Sequence, residues 1–299
     1  MGGLGSLLVP LEGDATGWAA CGGEHHWPPG QTSFCSRPLF PGLGEQFSWL
    51  NNHLAQAVIA AILVIAFWVF MARGQTLVPG KRQSLGEMAY DLVRNGIARD
   101  ILGHDFKPFV PYLLTLFSFI LVNNFFGEFF FFMFPTFSKI GYVYALALLS
   151  WLLYNGVGIK KFGFGGYLQR ACLPPGVPKA LWIIIIPLEF LSNIIVRPVT
   201  LALRLFANLF AGHLVVLVFV VGGSMLLTTT EQLAGFDIPL LRVAGVVSIL
   251  FSFAVFALEL LIAFIQAYVF TVLTAQYVSS ALAEESRDRI RKPFGLSSM

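Results

Sequence analysis

The sequence predicts an all-α polytopic membrane protein of about five passes, whose last two helices are very long, strongly tilted and paired as a hairpin. Three observations lead there. Of its 299 residues, 57% are hydrophobic and only 12% charged, against about 25% charged in an ordinary soluble domain. The apolar stretches are continuous and long, which selects helices over the alternating pattern of a barrel. Two of those stretches are far longer than one perpendicular crossing needs.

Residues 1–46 form an arm rich in Gly and Pro and weakly acidic. Its start, MGGLGSLLVP, has no basic leading region and only a short apolar run, so no signal peptide is read there. Cys21 and Cys35 lie in this arm with His25 and His26 between them. Outside the cytoplasm the two thiols either pair as a disulfide or stay free in a loose arm; a bound metal is the weaker reading.

Residues 47–179 should hold the first three membrane helices. His53–Met71 is the first span. Arg73–Lys107 comes next, polar and basic, and within it Leu85, Met88, Leu92 and Ile97 recur near helical spacing. That pattern predicts an amphipathic helix near 84–102 on the cytoplasmic membrane surface. Phe109–Phe134 is a second span, dense in Phe that reads as lipid-facing bulk, and it carries Asn123, Asn124 and Glu128. Ile140–Ile159 is a third span. Lys160–Lys179 reads as a basic loop.

The remaining apolar segments are oversized. Ala180–Leu227 has 48 residues, about 72 Å as a helix, while the hydrocarbon core is about 30 Å thick. Val243–Ala283, with 41 residues, has the same excess. Each must cross twice or cross once at a steep slant. Charge decides, because cytoplasmic loops collect Lys and Arg. Segments 73–107, 160–179 and the tail 284–299 hold 14 of the 19 basic residues. Single crossings then put the N-terminus outside and the tail 284–299 in the cytoplasm. The segment Thr228–Arg242 becomes an external loop, with one basic residue. Helices usually tilt about 20°, so residues 180–283 should form an unusually oblique hairpin that offers one long side to a partner.

Within that hairpin, PLEFLSNIIVRPVTLALRLFANLFAGH carries Glu189, Asn193, Arg197, Arg204, Asn208 and His213. Arg204 has no acidic residue within ten positions on either side. An arginine at membrane depth costs at least about 2.5–3.5 kcal/mol, and it cannot shed its proton to escape that cost. Either a neighbouring helix's carbonyls hold it, or an anion reaches it from elsewhere. Asn208, four positions on, shares its face. His213, nine positions on, lies about 180° round the helix, so the two point in opposite directions. On the last helix Glu259 and Gln266, seven apart, share a face.

Glu259 is a lone carboxylate in an apolar run, which suits a group that takes up and releases protons; a hydrogen-bonded structural acid is the plainer alternative. His213 has plainer readings too, as a packing residue or a stray metal ligand. Asn123, Asn124 and Glu128 read equally as interhelical glue or as the lining of a polar entrance. Gly127 and Gly212 suit close helix packing, and Arg197 reads as structural or as lying near an exit path. Nothing in the chain calls for a cofactor, a nucleic-acid partner or catalytic chemistry of its own.

The run LALRLFANLFAGH, with PLEFLSNIIVRP before it and ELLIAFIQAYVFTVL after it, resembles subunit a of the F-type ATP synthase. The likeness is strongest over 180–283. It extends through LVPGKRQSLGEMAYDLVRNGIARDIL and PYLLTLFSFILVNNFFG to most of the chain from residue 39; residues 1–38 match nothing recognisable. The spelling, and Glu259 paired with His213, look most like the actinobacterial branch. The resemblance implies a bacterial plasma membrane, with the mitochondrial inner membrane as the alternative. It also implies a rotating ring of c subunits as partner, each with one mid-membrane carboxylate, together with the b-subunit stalk and the rest of the complex. Arg204 matches the family's essential arginine, paired with ring carboxylates and blocking proton leak. Two offset half-channels would carry protons by way of Glu259 and His213, with Asn208 and Gln266 near the ring, on one side, and Glu189, Ser192 and Asn193 on the other. Glu128 is a candidate for the same entrance path from its own position on the second span.

One position departs from the pattern. The family's acid usually stands fourteen residues before the arginine, where this chain has Phe190; Glu189 is fifteen before. One residue is about 100° of helix, so either a local bulge realigns Glu189 or it has another task. The rival reading is a secondary transporter binding an anionic substrate at Arg204. Inverted repeats would support it, but the two halves differ in helix pattern and length. A structural scaffold would leave a retained, unpaired arginine without a reason.

Overall fold

The computed structural model describes residues 51–73, 80–128, 136–172, 182–228 and 238–290. The arm with Cys21 and Cys35, and the chain beyond residue 290, lie outside the described residues. Every element described is helical, and five helices are long and apolar enough to cross a membrane.

Helix α1, Asn52–Ala72, starts at a side-chain cap: Asn51 Oδ1 accepts the Leu54 N–H at 2.9 Å. This satisfies one of the donors that a helix start leaves open. α1 packs on α3 (Val110–Glu128), and Trp68 Nε1 donates to Ser118 Oγ at 3.0 Å. Its outer face, Ile62 and Ile65 included, is exposed, as expected of a surface solvated by lipid.

Helix α2 runs Lys81–Val93, continues through a π-helical turn at Arg94–Arg99, and ends at Asp100–Leu102. The extra residue of a π turn rotates the remainder of the helix by about 100°. The buried face is already set before that turn by Gly86 and Val93, seven apart, so Leu85, Met88, Leu92 and Ile97 do not share one face as expected. Leu85, Met88 and Leu92 stay exposed, while Val93, Ile97 and Ala98 are buried in the core.

Of the phenylalanines expected to face lipid, those at 129–132 and 134 lie outside the described residues, and two of those described face inward. Phe117 is buried, and Phe119 meets Phe137 edge-on at 6.3 Å. α3 contacts α1, α2, the short turn Thr136–Ser138 and the last helix, so little of its perimeter is left for lipid.

Helix α4, Ile140–Cys172, joins two helical stretches across a kink, and the second fills the first half of the expected 160–179 loop. Its one break is Gly163, at φ 73, a conformation that costs little only without a Cβ. Beyond it the chain folds back: the Tyr167 ring lies against Gly158, and Tyr167 Oη donates to Asn155 Oδ1 at 2.9 Å. The glycines that read as loop instead permit this return.

Helix α5 spans Trp182–Thr228 and contains a π-helical segment at Leu191–Val196. Pro198 has no N–H to give to the Ile194 carbonyl. α4 supplies the missing donors: Trp151 Nε1 bonds Ile194 O, and Tyr154 Oη bonds Asn193 O, each at 3.0 Å. Helix α6 spans Ile238–Ile290, so it begins inside the expected external loop and continues past residue 283. α5 and α6 pack along much of their length, and α3 and α4 pack against α6. Gly223 and Gly245 let α5 and α6 touch backbone to backbone, since a Cβ on either would stand 3.0 Å from the other's carbonyl oxygen.

Candidate functional site

Three of the predicted residues meet between α3, α5 and α6. His213 Nε2 lies 3.9 Å from Glu128 Oε1, and His213 Nδ1 lies 3.9 Å from Glu259 Oε2. Both carboxylates are buried. Helical spacing explains the convergence. Asn124 and Glu128, four apart, share the side of α3 that meets α6, where Asn124 Nδ2 donates to Ala263 O at 3.0 Å. Glu259 and Gln266 lie on the buried side of α6. At 3.9 Å the groups are beyond a direct hydrogen bond, so a proton passing between them needs a bridging water or a small side-chain rotation. Their ligand atoms all lie within 4.8 Å of one another, and one imidazole with two carboxylates is also a donor set that suits a divalent cation.

Arg204 stands apart from this cluster. Leu201, Ala202, Leu205 and Leu209 of α5 turn into the core, whereas Arg204 is exposed. Among the described residues no hydrogen bond or ion pair engages it. Asn208 is half-buried on the same side of the helix. Arg197 is held differently: its guanidinium lies 5.2 Å from the Tyr277 ring centre and reaches Ser280 Oγ at 3.5 Å.

Nearer the start of α5, Glu189, Ser192 and Asn193 are half-buried, and Asn193 Nδ2 donates to Glu189 Oε2 at 3.2 Å. The π-helical segment lies between Glu189 and Arg204. It takes up one residue relative to a regular helix, the same count by which Glu189 is displaced from the family spacing.

Sequence reasoning missed a second set of buried polar side chains, at the start of α1 and in the Thr136–Ser138 turn. His53, Gln56 and Thr136 are almost fully buried. The signal was present: a histidine and a glutamine three apart on one face at the head of an apolar span.

A family model described as "ATP synthase A chain" matches residues 54–279. The chain belongs to the ATP synthase A chain family. It is 47% identical over 271 residues to "ATP synthase subunit a" of Nocardioides sp., which covers 88% of this chain and 95% of that protein. It is 42% identical to the protein of that name from Pseudarthrobacter chlorophenolicus, over 87% of this chain and 94% of the relative. A more distant relative of the same name, from Acidiphilium cryptum, is 36% identical over 81% of this chain and 92% of its own length. The span matched to the ATP synthase A chain family runs from α1 into α6. It includes Glu128, Glu189, Arg204, His213, Glu259 and Gln266 and leaves the N-terminal arm outside.

Proposed function

We propose that this chain is the stator subunit that carries protons past a rotating c-ring in the F-type ATP synthase. The observation that carries the reading is the pairing of an exposed Arg204, which has no partner among the described residues, with a buried cluster on the opposite side of the same helix. A permanent cation in an apolar helix requires an anion. Passing ring carboxylates supply one, each in turn.

The chain lies with its N-terminus outside and its C-terminus in the cytoplasm, α5 and α6 crossing at a steep slant. Residues 47–179 support the hairpin 180–283, and the b-subunit stalk keeps the whole from turning with the ring. A proton enters from outside by way of Glu128, His213 and Glu259. It passes Asn208 and Gln266 to a ring carboxylate, which becomes neutral and can rotate into lipid. After nearly a full turn that carboxylate releases its proton along Glu189, Ser192 and Asn193 to the inside. Arg204 pairs with the bare carboxylate and closes the direct route between the two half-channels. The drive is about 2.3 kcal/mol per proton per 100 mV, with the pH gradient added. The chain performs no bond chemistry; ATP forms in a distant soluble head. A carrier of anionic solutes fits less well, since the family matched is that of the ATP synthase A chain.

The test is Arg204→Ala in the complete, reconstituted complex. ATP-driven proton pumping should be lost while passive proton leak is kept or raised. Pumping at the native rate would overturn the reading.

A further inference from the structure

α1 and α3 are antiparallel neighbours. The end of α1 meets α2, where Met71 packs on Gly86, and its start meets the Thr136–Ser138 turn beyond the end of α3. The Trp68–Ser118 hydrogen bond fixes their relative height. His53 stands fifteen residues before Trp68, about 22 Å along the axis, and Glu128 ten residues beyond Ser118, about 15 Å. His53 therefore lies several ångströms outward of Glu128, on the side from which the proposed entrance is fed.

His53 is fully buried, yet neither ring nitrogen has a hydrogen-bond partner among the described residues. Gln56 Nε2, Thr136 Oγ1, Asn123 Oδ1 and Asn124 Oδ1 are in the same condition. Buried polar atoms are nearly always bonded to protein or to ordered water. Five side chains with such atoms, gathered at one end of the bundle, mark where water resides. The packing connects them: the Thr136–Ser138 turn touches α1, α3 and α5, Asn123 donates to Phe119 O, and Phe119 meets Phe137 in that turn. These side chains sit on elements that meet at that end of the bundle: His53 and Gln56 at the start of α1, Thr136 in the turn, and Asn123, Asn124 and Glu128 at the end of α3.

We propose that His53 is the outermost proton-relay residue of the entrance half-channel, handing protons through bound water toward Glu128 and His213. One ring nitrogen takes a proton from bound water on its outer side while the other releases its own to bound water on its inner side. The ring then regains its starting form by exchange, and no other reactant is needed. The groups facing it are Lys139 and Tyr142, whose ring centre lies 6.5 Å away, with Glu128 at the inner end. This inference rests on the proton-path reading above.

The experiment uses the complete complex in vesicles, with His53→Ala, His53→Phe and Arg204→Ala compared. His53→Phe keeps the buried volume without a protonatable group, and His53→Ala leaves room for free imidazole. Proton-driven ATP synthesis should fall severalfold in both His53 variants. Imidazole added on the outer side should restore His53→Ala and leave His53→Phe slow. Native rates in both, or slowed rates that imidazole does not change, would overturn the proposal. If Arg204→Ala abolishes pumping in the same preparation while the His53 variants behave as wild type, only this inference fails. If Arg204→Ala also pumps normally, the underlying reading fails.

Discussion

Gly212 and Glu259 are in such close apposition that a Cβ on Gly212 would stand 2.6 Å from Glu259 Oε1. The absent side chain is what lets the carboxylate sit beside His213. An alanine there would meet the end of a movable side chain and not a backbone, so the carboxylate should swing away while the helices stay together. Gly212→Ala is expected to assemble normally and to carry protons severalfold more slowly, measured as ATP-driven acidification of vesicles. A native rate would show that the position of Glu259 is unimportant.

Glu259→Gln keeps the shape of the side chain and removes its capacity to ionise. Because Glu259 faces His213 at 3.9 Å, proton flux should drop severalfold with the subunit still present in the purified complex. Unchanged flux would count against Glu259 as part of the path.

The contact between Gly223 and Gly245 is of another kind, because each would drive a Cβ to 3.0 Å from the other's carbonyl oxygen. Gly245→Ala must push α5 from α6, at about 1–3 kcal/mol by the usual cost of overpacking. Less assembled complex is expected in membranes, whereas Gly96→Ala, which meets nothing within 4 Å, should assemble as wild type. Equal assembly in both would refute the close-packing account.

Trp151 Nε1 bonds the Ile194 carbonyl that Pro198 cannot serve. Trp151→Phe should lower stability by about 1 kcal/mol, read as the temperature at which half of the purified complex releases this subunit. Adding Pro198→Ala returns a backbone donor and should recover part of the loss. If the double variant is no more stable than the single, the carbonyl is not the reason.

Periodicity carries far in this chain. The opposed directions of Arg204 and His213, and the shared face of Glu259 and Gln266, come from 3.6 residues per turn and reappear in the structure. So do five long apolar helices. What spacing cannot carry is any place where the helix changes its period. At the π segment Leu191–Val196, Trp151 and Tyr154 of α4 bond the Ile194 and Asn193 carbonyls, and no local window contains them. The π turn at Arg94–Arg99 packs on α3 and on the distant α6. Gly163 misleads for another reason: one non-helical residue ends a helix and a second begins at once, folded back on the first, where the glycines read as a loop. The meeting of Glu128 with His213 and Glu259 is legible in the sequence only as a set of candidates, since the α3–α6 contact joins residues more than a hundred positions apart. His53 and Gln56 escape notice because an apolar span reads as beginning with them and not as holding them inside.

Everything turns on what faces Arg204. A map of the intact membrane complex, resolved well enough to place the guanidinium and its neighbours, measures this directly. A carboxylate from a neighbouring ring subunit, within about 4 Å of Arg204 or one subunit step from it, is the predicted result. Arg204 facing lipid, or clasped by an acid of its own chain with no ring alongside, would contradict it.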